Sequence, residues 1–105
     1  MTPDTLHHSV YFWLHDGGTP DDTQTIIHAC QTYLPEIPGI LRLLVGTPAG
    51  TDGPAVEKTY AVALLIDFVD QAAHDTYDVH PSHQRLITEC GPLCSRIQVF
   101  DVAPV

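Results

Sequence analysis

Basic residues are scarce in this chain. Its 105 residues include four Lys and Arg against thirteen Asp and Glu, so the formal net charge is −9 at pH 7. The four cations are scattered along the sequence as Arg42, Lys58, Arg85 and Arg96. Proteins that bind nucleic acid, or an anionic membrane surface, neutralise phosphates with clustered Lys and Arg. We therefore expect neither nucleic acid nor a membrane as a partner.

Long apolar runs are also missing, and we expect no secretory leader. The sequence has no run of about 18 apolar residues, which a membrane-spanning helix requires. Residues 1–4 lack the basic start of a signal peptide, and no apolar stretch follows them, so we expect a cytoplasmic protein. The three cysteines cannot all pair within one chain, and Cys90 and Cys94 lack the spacing of a redox or zinc pair. We expect them to be buried thiols.

The chain does contain enough apolar material for one core. Apolar residues make up 44% of the sequence, which is too large a share for a disordered chain. A chain of 105 residues fits a single domain, here residues 1–105, that buries roughly two-thirds of its unfolded surface. A core of this size needs no covalent staple to be stable.

Hydrophobic periodicity predicts the element order β-α-β-β-α-β. Alternating apolar residues predict strands and stripes at helical spacing predict helices, with Thr19 and Asp70 as N-caps and a loop over residues 48–57. The strands are expected over residues 6–14, 40–47, 60–68 and 96–102, and the helices over residues 20–34, 71–77 and 81–90. This order is typical of a ferredoxin-like α+β fold, in which a four-stranded antiparallel sheet carries its helices on one face.

The second face of such a sheet is left open. Tyr11 and Trp13 alternate with Val10 and Phe12, so we expect the two larger aromatic residues on this open face. An exposed apolar patch marks a surface that binds a partner, and the simplest partner is a second copy related by two-fold symmetry. We expect a homodimer that pairs sheet against sheet.

Residues 77–83 contain the groups best suited to proton transfer. The segment holds Tyr77, His80 and His83, and a further histidine, His8, lies in the first strand on the side that faces the core. Imidazole titrates between about pH 5 and 8, so it exchanges protons near neutrality. The remaining histidines are expected at the surface or at an interface: His7, His15, His28 and His74.

Three blocks of the sequence resemble the stress-responsive A/B barrel (Dabb) family. They are the opening strand from His8 to Asp16, the strand ending in Asp67-Phe68 with the following Tyr77-x-x-His80-Pro81-x-His83, and the closing Val99-Phe100-Asp101. The resemblance covers nearly the whole chain. It implies a dimeric α/β barrel made from two ferredoxin-like sheets, in agreement with the open face.

The resemblance also implies a site. The family includes a plant polyketide cyclase that closes its substrate by an aldol condensation, with a histidine base beside a tyrosine and without metal or organic cofactor. The base corresponds to His83 and the tyrosine to Tyr77, and two further histidines of that enzyme correspond to His8 and His80. The pocket between sheet and helices implies an apolar small-molecule ligand and these lining residues: Val10, Phe12, Ile26, Ile27, Cys30, Leu64, Ile66, Leu86 and Ile97.

Three alternatives remain open. His80 and His83 can instead satisfy backbone groups where a helix starts at Pro81, in a dimeric domain that binds a ligand or serves a stress role without catalysis. The imidazoles of His8, His80 and His83 can together bind Zn or Cu, but no Cys or carboxylate has ligand spacing beside them, so no metal is expected. The antibiotic-biosynthesis monooxygenase type shares the barrel but matches residues 77–83 less well.

Overall fold

The computed structural model describes residues 4–105. Residues 1–3 lie outside the described residues. The expected cytoplasmic location depends in part on these residues. The strands are β1 (Leu6–Leu14), β2 (Ile40–Gly46), β3 (Val62–Phe68) and β4 (Cys94–Val102), and the helices are α1 (Pro20–Tyr33), α2 (Gln71–Val79) and α3 (Pro81–Cys90). The predicted order of strands and helices is confirmed, with boundaries that shift by two residues or fewer.

The four strands form one antiparallel sheet in the order β2-β3-β1-β4. This topology confirms the ferredoxin-like fold. Strand β1 lies inside the sheet, so His8 is paired with Ile66 of β3 on one side and with Asp101 of β4 on the other. The register therefore places residues from opposite ends of the chain side by side, and it positions the candidate site described below.

Side chains at the helix starts explain where each helix begins. Thr19 and Asp70 cap α1 and α2 as predicted, and each accepts a hydrogen bond from a backbone N–H three residues later, at 3.1 and 2.8 Å. One residue, His80, separates α2 from α3 in an extended conformation (ψ 139°), because the residue before a proline avoids the helical region. Its Nδ1 accepts a hydrogen bond from the Ser82 N–H at 3.0 Å, so His80 caps α3.

The hydrophobic core fills the space between the sheet and the helices. Burial raises the pKa of the Cys30 thiol to about 12 and that of Cys90 to about 11, so both cysteines act as apolar core residues, as expected. Cys94 differs from the expectation: it lies at the start of β4 and is only half-buried. The buried apolar residues are Val10, Phe12, Leu14, Ile26, Ala29, Cys30, Leu34, Ile37, Val62, Leu64, Ile66, Phe68, Tyr77, Leu86 and Cys90.

The open face carries an aromatic cluster that no helix covers. The ring of Tyr11 packs edge-to-face against Tyr60 and Phe100, with centroid separations of 5.0 and 6.1 Å. Phe100 is 52% exposed. The guanidinium of Arg96 lies over the Trp13 ring, 4.4 Å from its centroid. Tyr11 and Trp13 thus lie away from the helices, as the alternation along β1 predicts.

The connection between β2 and β3 has no regular secondary structure apart from a turn and a bend, and it includes the loop predicted over residues 48–57. Within residues 4–105, no helix has the length and apolar character needed to cross a membrane.

Candidate functional site

A cavity of about 190 Å³ lies between the sheet and helices α2 and α3, and we call it the helix-side cavity. Its volume is below the ~300–1,000 Å³ of sites for drug-sized ligands, so it suits a small molecule. Four lining residues carry polar groups: His8, Tyr77, Asp78 and His83. The others are apolar: Val10, Phe12, Leu64, Leu86, Ile87, Ile97 and Val99.

The structure brings together most, but not all, of the predicted site residues. Eight of them line the cavity: His8, Val10, Phe12, Leu64, Tyr77, His83, Leu86 and Ile97. Three of the others, Ile26, Cys30 and Ile66, have no exposed surface because they fill the core. Ile27 packs against that core from its edge, and His80 is engaged as the cap of α3. Helix α1 therefore contributes to the core, whereas α2 and α3 form the helical wall of the cavity.

His83 is a neutral imidazole, and a hydrogen bond to the backbone fixes which ring nitrogen carries the proton. Its Nδ1 lies 3.1 Å from the carbonyl oxygen of Asp78. Because a carbonyl only accepts hydrogen bonds, Nδ1 carries the proton in this contact and the neutral ring keeps a lone pair at Nε2. Burial lowers the pKa of His83, and the Asp78 carbonyl and carboxylate offset this effect only partly. His83 is therefore able to act as a base at neutral pH.

The ring of Tyr77 lies beside this base. Its ring centroid lies 4.5 Å from that of His83 and 5.6 Å from that of His8. The side chain is 1% exposed and packs edge-to-face against Phe68. Burial raises the pKa of Tyr77 well above its usual range, so the hydroxyl stays protonated and can donate a hydrogen bond.

A second imidazole of the cavity is oriented by a carboxylate that was not among the predicted site residues. His8 Nδ1 lies 2.5 Å from Asp101 Oδ1, and the His8 side chain is 6% exposed. Burial lowers the pKa of His8, although the bond to Asp101 acts in the opposite direction. Asp101 belongs to the family motif that closes the sequence, but only the pairing of β1 with β4 shows that it meets His8.

His74 corrects a prediction. It was expected at the surface or an interface, but its side chain is only 14% exposed, with its ring 5.2 Å from His8 and 5.6 Å from Phe68. The reason is the helical period, which places His74 on the same side of α2 as buried Tyr77, three residues later.

One group of described residues is arranged so that it could hold a metal ion. His8, His74 and Asp101 each offer one ligand atom, and these atoms all lie within 4.8 Å of one another. The alternative set considered from the sequence, His8 with His80 and His83, is not the one assembled here, because His80 caps α3.

Comparisons with known proteins agree with this fold. A crystal structure of a dimeric ferredoxin-like protein of unknown function from Thermobifida fusca has a TM-score of 0.81 at 21% identity, covering 95% of this chain and 91% of that chain. A similar dimeric protein from Jannaschia has a TM-score of 0.76 at 27% identity, covering 93% and 97%. Hydroxynitrile lyase from Passiflora edulis has a TM-score of 0.79 at 20% identity, covering 99% and 96%. No curated protein matches the sequence.

The family is shown by the sequence itself. The model of the stress responsive A/B barrel domain matches residues 6–104. This match spans nearly the whole chain and includes all three blocks on which the resemblance was based. The chain therefore belongs to the stress responsive A/B barrel (Dabb) family.

Proposed function

We propose that residues 1–105 form one Dabb domain, that two copies form a dimer, and that the helix-side cavity catalyses proton transfer on a small carbonyl compound without a cofactor. In this proposal His83 is the base and Tyr77 the hydrogen-bond donor. The observation that carries it is the contact of His83 Nδ1 with the Asp78 carbonyl, which leaves a lone pair at Nε2 of a half-buried ring beside the ring of Tyr77.

The chemistry resembles that of a polyketide cyclase. His83 Nε2 takes a proton from the carbon next to a carbonyl, and the hydroxyl of Tyr77 donates a hydrogen bond to the enolate oxygen that forms. The enolate carbon then attacks a second carbonyl of the same molecule, and the new alkoxide takes the proton back from His83. The apolar part of the wall lowers the local polarity, which strengthens the hydrogen bond to the enolate.

Substrate contact is proposed for the remaining residues at the cavity wall. His8 supplies a polar contact, and the apolar surface comes from Val10, Phe12, Leu64, Leu86 and Ile97. The other residues that the family resemblance implied support this wall from the core or from the start of α3: Ile26, Ile27, Cys30, Ile66 and His80.

The proposed dimer forms through the open face. The similar proteins from Thermobifida fusca and Jannaschia are both described as dimeric. The open face of this chain has the exposed aromatic surface that such an interface requires, including Tyr11 and Phe100. A cytoplasmic location remains part of the proposal as a prediction from the sequence.

The first test uses a probe reaction that needs only a base and a small cavity. 5-Nitrobenzisoxazole opens to a coloured phenolate when a base removes the proton from its ring carbon. A positioned base contributes about 10²–10⁴-fold to such a step, so we expect His83→Ala to lose at least about tenfold in rate. His28→Ala, which removes an exposed histidine on α1, serves as the matched control and should keep the rate. Equal rates for His83→Ala and the unaltered protein would show that His83 is not the base.

A second candidate is a dimeric domain that binds an apolar molecule without turnover. The predominantly apolar wall of the helix-side cavity favours it. Native mass spectrometry of the purified protein, followed by extraction under denaturing conditions, separates the two functions when combined with the probe reaction. A dimer that carries a small organic molecule and shows no base-catalysed reaction supports this second function, whereas a monomer contradicts both.

A further inference from the structure

We propose that His8, His74, Asp78 and Asp101 bind a divalent transition-metal cation of the zinc class at the edge of the helix-side cavity. This site goes beyond the proposed function and does not depend on His83. It combines two imidazoles with two carboxylates, a mixed nitrogen and oxygen ligand set that suits zinc and neighbouring metals.

The distances around His74 carry the proposal. Its Nε2 lies 4.0 Å from Asp101 Oδ2 and 4.0 Å from Asp78 Oδ1, which is too far for a hydrogen bond. Two ligands of one tetrahedral Zn²⁺ at ~2.0–2.1 Å lie about 3.3 Å apart. Asp78 and Asp101 have 55% and 42% of their side-chain surface exposed, so modest rotations can bring their oxygens to this separation.

A further carboxylate fixes the nitrogen of His74 that would bind the metal. His74 Nδ1 lies 3.0 Å from Asp75 Oδ1. Because an ionised carboxylate only accepts hydrogen bonds, Nδ1 carries the proton in this contact, and Nε2 keeps its lone pair toward Asp78 and Asp101. Metal-binding histidines in proteins are usually oriented in this way, by a carboxylate on the nitrogen that does not bind the ion. Asp75 is thus a positioning residue.

His8 completes the site from the sheet. One of its ring nitrogens belongs to the group of three ligand atoms within 4.8 Å, with His74 and Asp101. Its Nδ1 is now 2.5 Å from Asp101 Oδ1, which is closer than two ligands of one ion. The cation would therefore separate these two atoms and replace the proton of their hydrogen bond. The net charge of −9 also favours an approaching cation.

Cobalt(II) is the probe for the test, because its visible absorption reports the ligand geometry. The chelator-treated protein should bind one Co²⁺ per chain and show the intense bands of a four-coordinate ion. Zn²⁺ added afterwards should displace the cobalt and abolish these bands. Failure to bind one equivalent, or a spectrum equal to that of hydrated Co²⁺, overturns the proposal.

Three variants locate the ion. His74→Ala removes a ligand, and Asp75→Asn changes only the positioning residue, which is exposed and not needed for the core. Loss of such an outer partner typically weakens metal binding about 10–100-fold, so we expect at least a tenfold higher Kd for Asp75→Asn and a larger increase for His74→Ala. His28→Ala tests for binding by a surface histidine, and it should leave the Kd unchanged.

The results separate this proposal from the proposed function. Unchanged affinity in both His74→Ala and Asp75→Asn, or lost affinity in His28→Ala, contradicts the metal site. His83→Ala should retain cobalt binding even where it loses the probe reaction, because His83 is not among the proposed ligands. Retained binding in that variant supports the site, and failure of the probe reaction alone leaves the metal evidence intact.

Discussion

The two faces of the sheet differ in what covers them, and the neighbouring histidines of β1 show the consequence. His8, on the helix face, pairs with Asp101 of β4 at 2.5 Å, and its side chain is 6% exposed. His7, on the open face, pairs with Asp67 of β3 at 2.6 Å, and its side chain is 31% exposed. The same two residue types thus meet on both faces, but on the helix face the histidine is almost fully buried beside the helix-side cavity.

Burial beneath the helices, rather than residue type, distinguishes the candidate site from the open face. The open face is rich in aromatic rings, yet its groups are suited to contact with a broad partner surface. Under α2 and α3, burial changes the proton affinity of His8, Tyr77 and His83 together. Such shared shifts are frequent at catalytic sites. The following predictions test whether the two faces have these separate roles.

The largest effect is expected on the helix face, from Phe68→Ala. Phe68 has no exposed surface, and its ring contacts those of His8, His74 and Tyr77 at centroid separations of 5.9, 5.6 and 5.0 Å. Removing a buried Phe ring typically lowers the free energy of unfolding by about 3–5 kcal/mol. Urea denaturation at fixed protein concentration measures this loss. Val79→Ala, at a residue that is 75% exposed, is the control and should change stability by less than about 0.5 kcal/mol.

A similar decrease in the free energy of unfolding for the two variants would mean that the rings around Phe68 are not tightly packed. The helix face would then not be the more tightly packed face of the sheet.

On the open face, Phe100→Asp should act on assembly rather than on folding. The ring is half-exposed in one chain, so its replacement costs the single domain little, but an unpaired charge buried in the dimer costs about 3 kcal/mol or more. That cost corresponds to roughly a hundredfold higher dissociation constant. Phe100 is a sharper choice than Trp13, because Arg96 lies over the Trp13 ring and would neutralise a new carboxylate there.

Light scattering after gel filtration, over a range of concentrations, measures the shift from dimer to monomer. Val79→Asp introduces the same charge at an exposed position of α2, away from the open face, and should stay dimeric. If Phe100→Asp is as dimeric as this control, then the open face is not the dimer interface.

Local features of the fold were predictable because they depend on neighbouring residues. The caps Thr19 and Asp70, and the break before Pro81, follow from side-chain and backbone preferences within one turn. The proximity of Tyr77 and His83 has the same local origin, since both lie next to that break.

Contacts across the sheet could not be predicted in the same way. Asp101 meets His8 only through the register of β1 with β4, and a shift of one residue would turn it to the other face. The helical period places His74 on the same side of α2 as Tyr77, but the contact of its ring with Phe68 depends on how α2 packs on β3. For the same reason, the family resemblance implied Ile26 and Cys30 as lining residues of the cavity, although they fill the core.

The smallest effect expected is a dependence of stability on pH that originates at the helix-side cavity. Burial lowers the pKa of His8 and of His83 in the folded protein below the value of 6.5 that applies to the unfolded chain. Between the lowered pKa and 6.5, the unfolded chain therefore binds more protons than the folded one, so the free energy of unfolding rises with pH. Acidification from pH 7.5 to 5.5 should destabilise the protein, by at most about 1.4 kcal/mol per pH unit for each histidine.

His83→Gln should reduce this slope, because it removes one of the two groups. Gln84→Ala is the matched control: Gln84 Nε2 donates to the same Asp78 carbonyl at 2.9 Å, so its loss removes a hydrogen bond of the same kind without removing a titrating group. We expect Gln84→Ala to lower stability equally at each pH and to keep the slope. Urea denaturation at pH 5.5, 6.5 and 7.5 measures both. An unchanged slope in His83→Gln would mean that His83 takes up its proton as readily in the folded protein as in the unfolded chain. In that case the cavity does not shield His83 from water, and burial on the helix face would not lower the pKa of this histidine.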